Sequence, residues 1–238
     1  MPQEKRVALV VGGRGTIGRA IVSGLLEAGC SVAVVTRGRD SLDELTSKLS
    51  VTSPTSARLT LHRADVTVDD QVHSCLEGIR STAGRIDFLI YTAGLEPDSD
   101  IPLAVYRTDA WCATFNTYVT GFFFCFREGL KVIERGGHIV AVSSAITRFP
   151  ANALPPIYAG HYAAAKAALD ELCKWGRREA HERGILLSRI APGAIDTPFH
   201  RAAPAHLRPP ALLPVQVVTE KIVQAVMNGE EIDQELVA

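Results

Sequence analysis

Tyr162 and Lys166 stand four residues apart in the stretch HYAAAKAAL, residues 161–169. On a helix that spacing puts the phenol and the ammonium on one face, one turn apart. A phenol with an ordinary pKa of about 10 exchanges protons poorly near neutrality, and a neighbouring ammonium favours its ionised form. Tyr162 is therefore a candidate general acid/base toward a carbonyl or alcohol oxygen, with Lys166 as its electrostatic partner. Taken alone, such a pair is more often a half-buried aromatic beside a solvated charge.

A second group gives the pair a context. The turn Gly12-Gly13-Arg14-Gly15-Thr16-Ile17-Gly18 follows an apolar run over 6–11 and opens a helical pattern through Ile21, Leu25 and Leu26 that stops at Gly29. Strand, glycine turn and helix together are what a phosphate-binding turn requires. Glycines let the backbone approach a pyrophosphate, and the helix start offers unpaired N–H groups and a positive dipole end. Both GxGxxG (13, 15, 18) and GxxGxxG (12, 15, 18) fit the residues, and a tight turn without a ligand is the plainer alternative.

Residues 31–36 (SVAVVT) predict a second strand, whose end in a dinucleotide site selects on the adenosine ribose. A carboxylate there would accept from the 2′-hydroxyl, but Thr36 is followed by Arg37, Gly38 and Arg39. A guanidinium suits a 2′-phosphate, and Arg14 adds a second positive charge, so the reading is NADP rather than NAD. Solvated surface arginines are the bland alternative.

These residues need a frame. Residues 40–50 look helical, and 51–56, with Pro54, form a polar connection. A third strand runs over 59–62 toward Asp65 and Val66. Asp65 either holds an adenine amino group or caps the next helix, a role for which Thr67 competes. A helix over 68–83 stops at Gly84, and the nearly all-apolar 86–91 predicts a fourth strand covered on both faces. It ends in Thr92-Ala93-Gly94, small residues that leave room for a ribose and nicotinamide. After an acidic loop over 95–102, residues 103–135 carry one or two helices. Phe122, Phe123, Phe124 and Phe126 cannot share one helical face, so core packing takes part of the run and a subunit contact the remainder. Residues 138–142 form a fifth strand ending in Ser143-Ser144, followed by a Pro-containing loop over 145–156 and a helix over 157–182. Strand six, 184–190, leads to APGAIDTP at 191–198. Five prolines within 198–214 predict a mobile substrate lid with little regular structure. A helix over 215–228 and a short strand over 232–237 complete the chain. Strands alternating with helices predict an α/β fold: one domain over 1–238, a Rossmann-type doubly wound, mostly parallel sheet with helices on both faces.

Composition narrows the classes. At 238 residues, 47% hydrophobic and 21% charged, the chain reads as one ordinary globular domain. A net charge of −1 argues against nucleic-acid binding and against attraction to an anionic membrane. No apolar run approaches the roughly 18 residues a membrane span needs, and the polar 1–5 do not resemble a signal peptide. Five scattered cysteines without a CxxC pair fit reduced thiols of a cytoplasmic protein and support no metal site.

In this order (glycine turn, Asp65, Ala93-Gly94, Ser144, Tyr162-x-x-x-Lys166, Pro192-Gly193 with Thr197) the motifs resemble those of the short-chain dehydrogenase/reductase family, in its short single-domain branch. The resemblance spans about 6–198 and implies a mechanism. Ser144 would hydrogen-bond the substrate oxygen and Tyr162 give or take its proton. Lys166 would lower the tyrosine pKa and bind the nicotinamide ribose. The nucleotide would lie along Gly12, Arg14, Gly15, Thr16, Ile17, Gly18, Arg37, Asp65, Val66, Ala93, Gly94, Pro192 and Gly193, with Ile195 and Thr197 at the carboxamide. A homodimer or homotetramer is also implied.

Several positions depart from the family pattern. Val11 stands for the usual Thr, Thr16 for the middle glycine, and Thr92 for the Asn before the AG pair. Aligning Gly121 with the glycine of the family's N-x-x-G puts Tyr118 where the catalytic tetrad's Asn should stand, with Asn116 two positions earlier. The 145–161 stretch, carrying Arg148, Phe149, Leu154 and Tyr158, is long and predicts an unusual substrate pocket. The leading expectation is an NADP(H)-dependent carbonyl reductase or alcohol dehydrogenase acting on a small or medium organic molecule. A cofactor-binding regulatory or assembly protein without turnover, and an enzyme using the bound nucleotide for isomerisation or dehydration, are the competing readings.

Overall fold

The computed structural model describes residues 6–38, 42–49, 58–95, 100–150, 158–202, 209 and 211–237. Seven strands, β1 (Val7–Val11), β2 (Ser31–Thr36), β3 (Leu59–Arg63), β4 (Phe88–Tyr91), β5 (His138–Val142), β6 (Leu186–Pro192) and β7 (Asp233–Leu236), form one sheet in the order β3-β2-β1-β4-β5-β6-β7. Every pairing is parallel. The fold is thus the single-domain α/β architecture the strand and helix alternation predicts.

The central strands are rich in β-branched residues and buried throughout, as a sheet covered on both faces requires. Alternate residues serve opposite faces. Leu9 and Val11 join one core with Val72, Leu76, Phe122 and Leu169, whereas Ala8 and Val10 join another with Ile21, Leu25, Val218 and Ile222. Each fully buried Leu, Ile or Val contributes roughly 1.5–3 kcal/mol. One layer holds α1 (Thr16–Glu27), α2 (Leu42–Ser47) and, late in the chain, α8 (Val215–Asn228). The other holds α3 (Asp69–Ala83), α4 (Thr108–Phe115), α5 (Gly121–Val132) and α6 (Gly160–Glu182).

Connections between parallel strands run out in opposite directions from β1 and β4, which lie side by side. A crevice opens beyond the carboxyl ends of strands at such a reversal, and that is where ligands bind in this architecture. Val11 of β1 and Tyr91 of β4 are register partners at its floor.

The described part of the expected lid contains regular structure. Residues Pro198–Ala202 form a short helix, α7, and Leu213 bridges Ile195 in parallel. His206 and Arg208 of the expected lid, Leu154, Arg39, Pro54 and residues 96–99 of the acidic loop lie outside the described residues. Within the Phe run, Phe122 and Phe126 enter the core, while Phe123 is exposed. The Arg127 guanidinium lies over the rings of both Phe123 and Phe124.

Candidate functional site

The glycine turn is shaped by close backbone approach. Gly12 has φ +83°, and a Cβ there would lie 2.6 Å from the Ala93 backbone. A Cβ on Gly18 would lie 2.3 Å from the Gly12 carbonyl oxygen, so α1 starts against the turn only because residue 18 has no side chain. Gly15 has room, with its nearest neighbour 3.6 Å away, and its N–H donates to the Gly12 carbonyl at 3.2 Å. Gly15 is the N-cap of α1 without a side-chain cap, leaving the first N–H groups of the helix directed at the crevice.

At the end of β2, Arg37 lies 3.9 Å from the Asp65 carboxylate. Asp65 also accepts from the Thr67 N–H at 2.9 Å and the Thr67 hydroxyl at 2.7 Å. It holds the loop after β3 rather than capping α3, whose N-cap is Val68. Thr92 ties β4 to β1, with its hydroxyl donating to the Val11 carbonyl at 2.9 Å.

Between α4 and α5 the helix widens into a single π-helical stretch, Asn116–Thr120. The buried Tyr91 hydroxyl donates to the Thr117 carbonyl inside it, and a Cβ on Gly121 would lie 2.5 Å from that same hydroxyl. This stretch points Tyr118 into the crevice. Its hydroxyl donates to the Leu95 carbonyl at 2.8 Å and accepts from the Leu95 N–H at 3.1 Å. Tyr118 and Tyr162 meet edge to face, centroids 5.4 Å apart.

Helix α6 is alanine-rich in its first turns, which favours the helix and leaves space around its two functional side chains. Lys166 is buried, its Nζ donating to the Val142 carbonyl at 2.8 Å and lying 4.4 Å from the Tyr118 ring centroid and 5.7 Å from that of Tyr162. Burial pushes the Lys166 pKa down to about 7, opposed by the Asp170 carboxylate. Burial also raises the Tyr162 pKa, and a side-chain hydrogen bond with Ser144 works the other way. Burial thus opposes the lowering of the phenol expected from Lys166, because it discourages both charges. Ser144 caps the short turn Ala145–Arg148, accepting from the Ile146 N–H at 3.3 Å.

Tyr118, Tyr162 and Lys166 border a cleft of about 700 Å³. Gly12, Arg14, Gly15, Thr16, Ile17, Gly18, Arg37, Asp65, Val66, Ala93, Gly94, Tyr162, Lys166 and Thr197 all line it. Ser144, Pro192, Gly193 and Ile195 are not on its lining; Gly193 bonds Leu236 of β7 and Ile195 is buried. The cleft wall also includes Val35, Ala64, Thr117, Val142 and Ser143, which the sequence motifs do not single out. Strand-end positions were the available signal for Val35, Val142 and Ser143; for Thr117 there was none. A cleft lined by a helix N-terminus and arginines on the β1–β2 side of the sheet and by a phenol and an ammonium on the β5 side fits a dinucleotide.

Residues 6–208 match the family described as short chain dehydrogenase. The chain belongs to that family. Proteins similar to it include an uncharacterized oxidoreductase of Staphylococcus epidermidis, 27% identical over 198 residues, 82% of this chain and 80% of the relative. Dehydrogenase/reductase SDR family member 11 of Bos taurus is 29% identical over 202 residues, 82% and 76% of the two chains. Among solved structures, a short-chain type dehydrogenase/reductase from Mycobacterium ulcerans superposes with TM-score 0.83 at 23% identity, covering 97% of this chain and 88% of its own. A putative dehydrogenase from Burkholderia cenocepacia with bound NADP gives TM-score 0.82 at 22% identity, covering 98% and 92%. The protein is thus an oxidoreductase of a family that uses a nicotinamide cofactor on small-molecule substrates. Among the described residues no helix is long and apolar enough to cross a membrane.

Proposed function

We propose that this short-chain dehydrogenase interconverts a carbonyl and a secondary alcohol on a small or medium organic substrate, with NADP(H) as cofactor. The observation that carries the reading is that Tyr162 and Lys166 line the same cleft as the Gly12–Gly18 turn, with Ser144 hydrogen-bonded to Tyr162 from outside the lining. The turn residues Gly12, Arg14, Gly15, Thr16, Ile17 and Gly18 would hold the pyrophosphate. Arg37 would meet the 2′-phosphate, Asp65 and Val66 the adenine, and Ala93 and Gly94 the ribose side of the nicotinamide. Thr197, which lines the cleft, would meet its carboxamide.

A bound nicotinamide supplies hydride transfer to or from the substrate carbon. Tyr162 Oη gives a proton to the substrate oxygen in reduction and takes it back in oxidation. Ser144 Oγ steadies that oxygen by a hydrogen bond, and Lys166 stabilises the phenolate once anionic groups of the ligand favour its charged form. NADP over NAD rests on Arg37 and Arg14 at the cleft wall and is in keeping with the NADP bound by the Burkholderia protein.

The test is consumption of NADPH and NADH over a panel of ketones, quinones and 3-oxoacyl thioesters, with Tyr162→Phe alongside. Loss of NADPH turnover by ~10²-fold or more in the variant, with NADPH affinity kept, supports the reading. Unchanged turnover in Tyr162→Phe sinks it, and tight NADPH binding without consumption favours a regulatory or assembly role. Arg37→Ser should weaken NADPH about tenfold or more and leave NADH alone; an equal effect on both removes the assignment of the 2′-phosphate.

A further inference from the structure

The Tyr118 side chain makes two kinds of contact that meet different parts of the cleft. Its hydroxyl both donates to and accepts from the Leu95 backbone, which uses up the O–H hydrogen and makes it a brace for the 93–95 wall. Its ring presents a face to the Lys166 ammonium at 4.4 Å, closer than the Tyr162 ring at 5.7 Å. The fit is tight: a Cβ on Gly94 would stand 2.9 Å from both the Tyr118 hydroxyl and its ring edge. The site is therefore built around this side chain and cannot be relaxed from either side.

A buried ammonium needs compensation for the water it has lost. Around Lys166 Nζ the direct hydrogen-bonding partner is the Val142 carbonyl. Tyr162 lies on the same helix one turn before, and Asp170 and Cys173 lie on it further along. From the π-helical stretch packed against α6, Tyr118 supplies the electron-rich face of a ring, which attracts a desolvated cation.

We propose that Tyr118 is a positioning residue with two separable functions: its ring holds the Lys166 ammonium, and its hydroxyl holds the Gly94-Leu95 wall against which a ligand would lie. This deepens the proposed function by adding a residue that acts through Lys166, and it rests on that reading only for its kinetic consequence. The hydroxyl does not carry protons to Lys166, because its one O–H hydrogen is committed to the Leu95 carbonyl.

The two functions come apart in Tyr118→Phe and Tyr118→Leu. The primary readout is the titration of Lys166 in protein free of nucleotide, followed by NMR on lysines labelled at Cε, with Lys166→Met identifying the signal. Tyr118→Phe should keep the Lys166 midpoint, and Tyr118→Leu should move it roughly one pH unit lower, the size expected for losing a desolvated cation–π contact. NADPH binding should weaken several-fold in both variants, since both lose the brace on Leu95. A Lys166 midpoint in Tyr118→Leu that equals wild type or lies above it overturns the ring function. Unweakened NADPH binding in a folded Tyr118→Phe overturns the hydroxyl function. The NMR arm needs no turnover, so its failure is distinct from that of the oxidoreductase reading, which Tyr162→Phe decides.

Discussion

Lys166 of α6 donates to the main-chain oxygen of Val142, the last residue of β5, at 2.8 Å. One hydrogen bond thus joins the helix carrying Tyr162 to the strand whose continuation carries Ser144. Loss of the ammonium should loosen that junction and remove the charge facing a dinucleotide. In Lys166→Met, turnover is expected to fall by ~10²-fold or more, and NADPH affinity to fall with it. A pKa of about 7 makes the ammonium lose its charge as pH rises through neutrality. Wild-type NADPH affinity should therefore decline toward alkaline pH by up to about tenfold per unit, a slope absent in Lys166→Met. Calorimetric titrations across that range check it, and identical slopes would show that Lys166 does not titrate there.

Two glycines with nearly the same backbone angle make a second prediction. Gly12 has φ +83° and Gly136 φ +82°. A Cβ at Gly12 would collide with Ala93 at 2.6 Å, whereas one at Gly136 would meet nothing within 4 Å. Gly136→Ala should cost only the left-handed backbone strain, about 1–2 kcal/mol, and leave NADPH binding intact. Gly12→Ala should cost more and lose binding, because the turn must move away from β4. Denaturant unfolding with binding measurements checks the pair; equal effects would mean that the close approach is unimportant.

Asp170 lies one turn beyond Lys166 and accepts from the Ser143 and Thr147 hydroxyls, with Arg189 at 3.5 Å. Its carboxylate pins the strand end and short turn that flank Ser144. Asp170→Ala leaves the buried Ser143 hydroxyl without this acceptor, at a cost of about 1–3 kcal/mol. Turnover should drop several-fold, and NADPH affinity near neutrality should fall with it, because loss of the Asp170 charge moves the Lys166 pKa further down; Asp170→Asn should recover part of the stability. Thermal melts and steady-state kinetics read this out; a fully active, fully stable Asp170→Ala contradicts it.

His138 gives a pH dependence away from the cleft. Burial lowers its pKa to about 4, and its Nε2 shares a hydrogen bond with Ser188 at 2.7 Å. The unfolded imidazole titrates near 6.5. Between those values the unfolded chain binds the extra proton, so this group's contribution to stability is lost as pH falls, by up to about 1.4 kcal/mol per unit. Above neutrality it is flat. Urea unfolding at about pH 7 and about pH 5 should show a smaller drop for His138→Gln than for wild type. Equal drops would mean that His138 is protonated in the fold.

Most of the frame was legible because it is written in local patterns. The six strand-to-helix alternations and the stops at Gly29 and Gly84 are local signals, and the observed elements follow them to within a few residues. The glycine turn, Arg37, Asp65, Tyr162 and Lys166 were legible as motifs, and the fold brings them to one cleft. What was not legible depends on partners distant in sequence. Tyr118 could be seen as a departure, but not that its hydroxyl is consumed by Leu95, 23 residues away. The bond from Ser143 to Asp170 spans 27 residues and has no motif. Nor does composition reveal that Pro198–Ala202 is helical, since a Pro at the first helical position starts a helix as readily as it breaks one.

The stretch Asn116–Thr120 also changes how insertions and deletions should be tolerated. A π-helical turn is one surplus residue in an otherwise continuous helix, here running from Thr108 to Val132. Residues on its two sides therefore belong to two helical wheels out of phase by about 100°. Deleting one residue there would bring the wheels into phase and rotate the Tyr118 ring away from Lys166, while Phe122, Cys125 and Phe126 could keep their places in the core. At this point in the chain, a one-residue change in length can rewire the site and spare the scaffold.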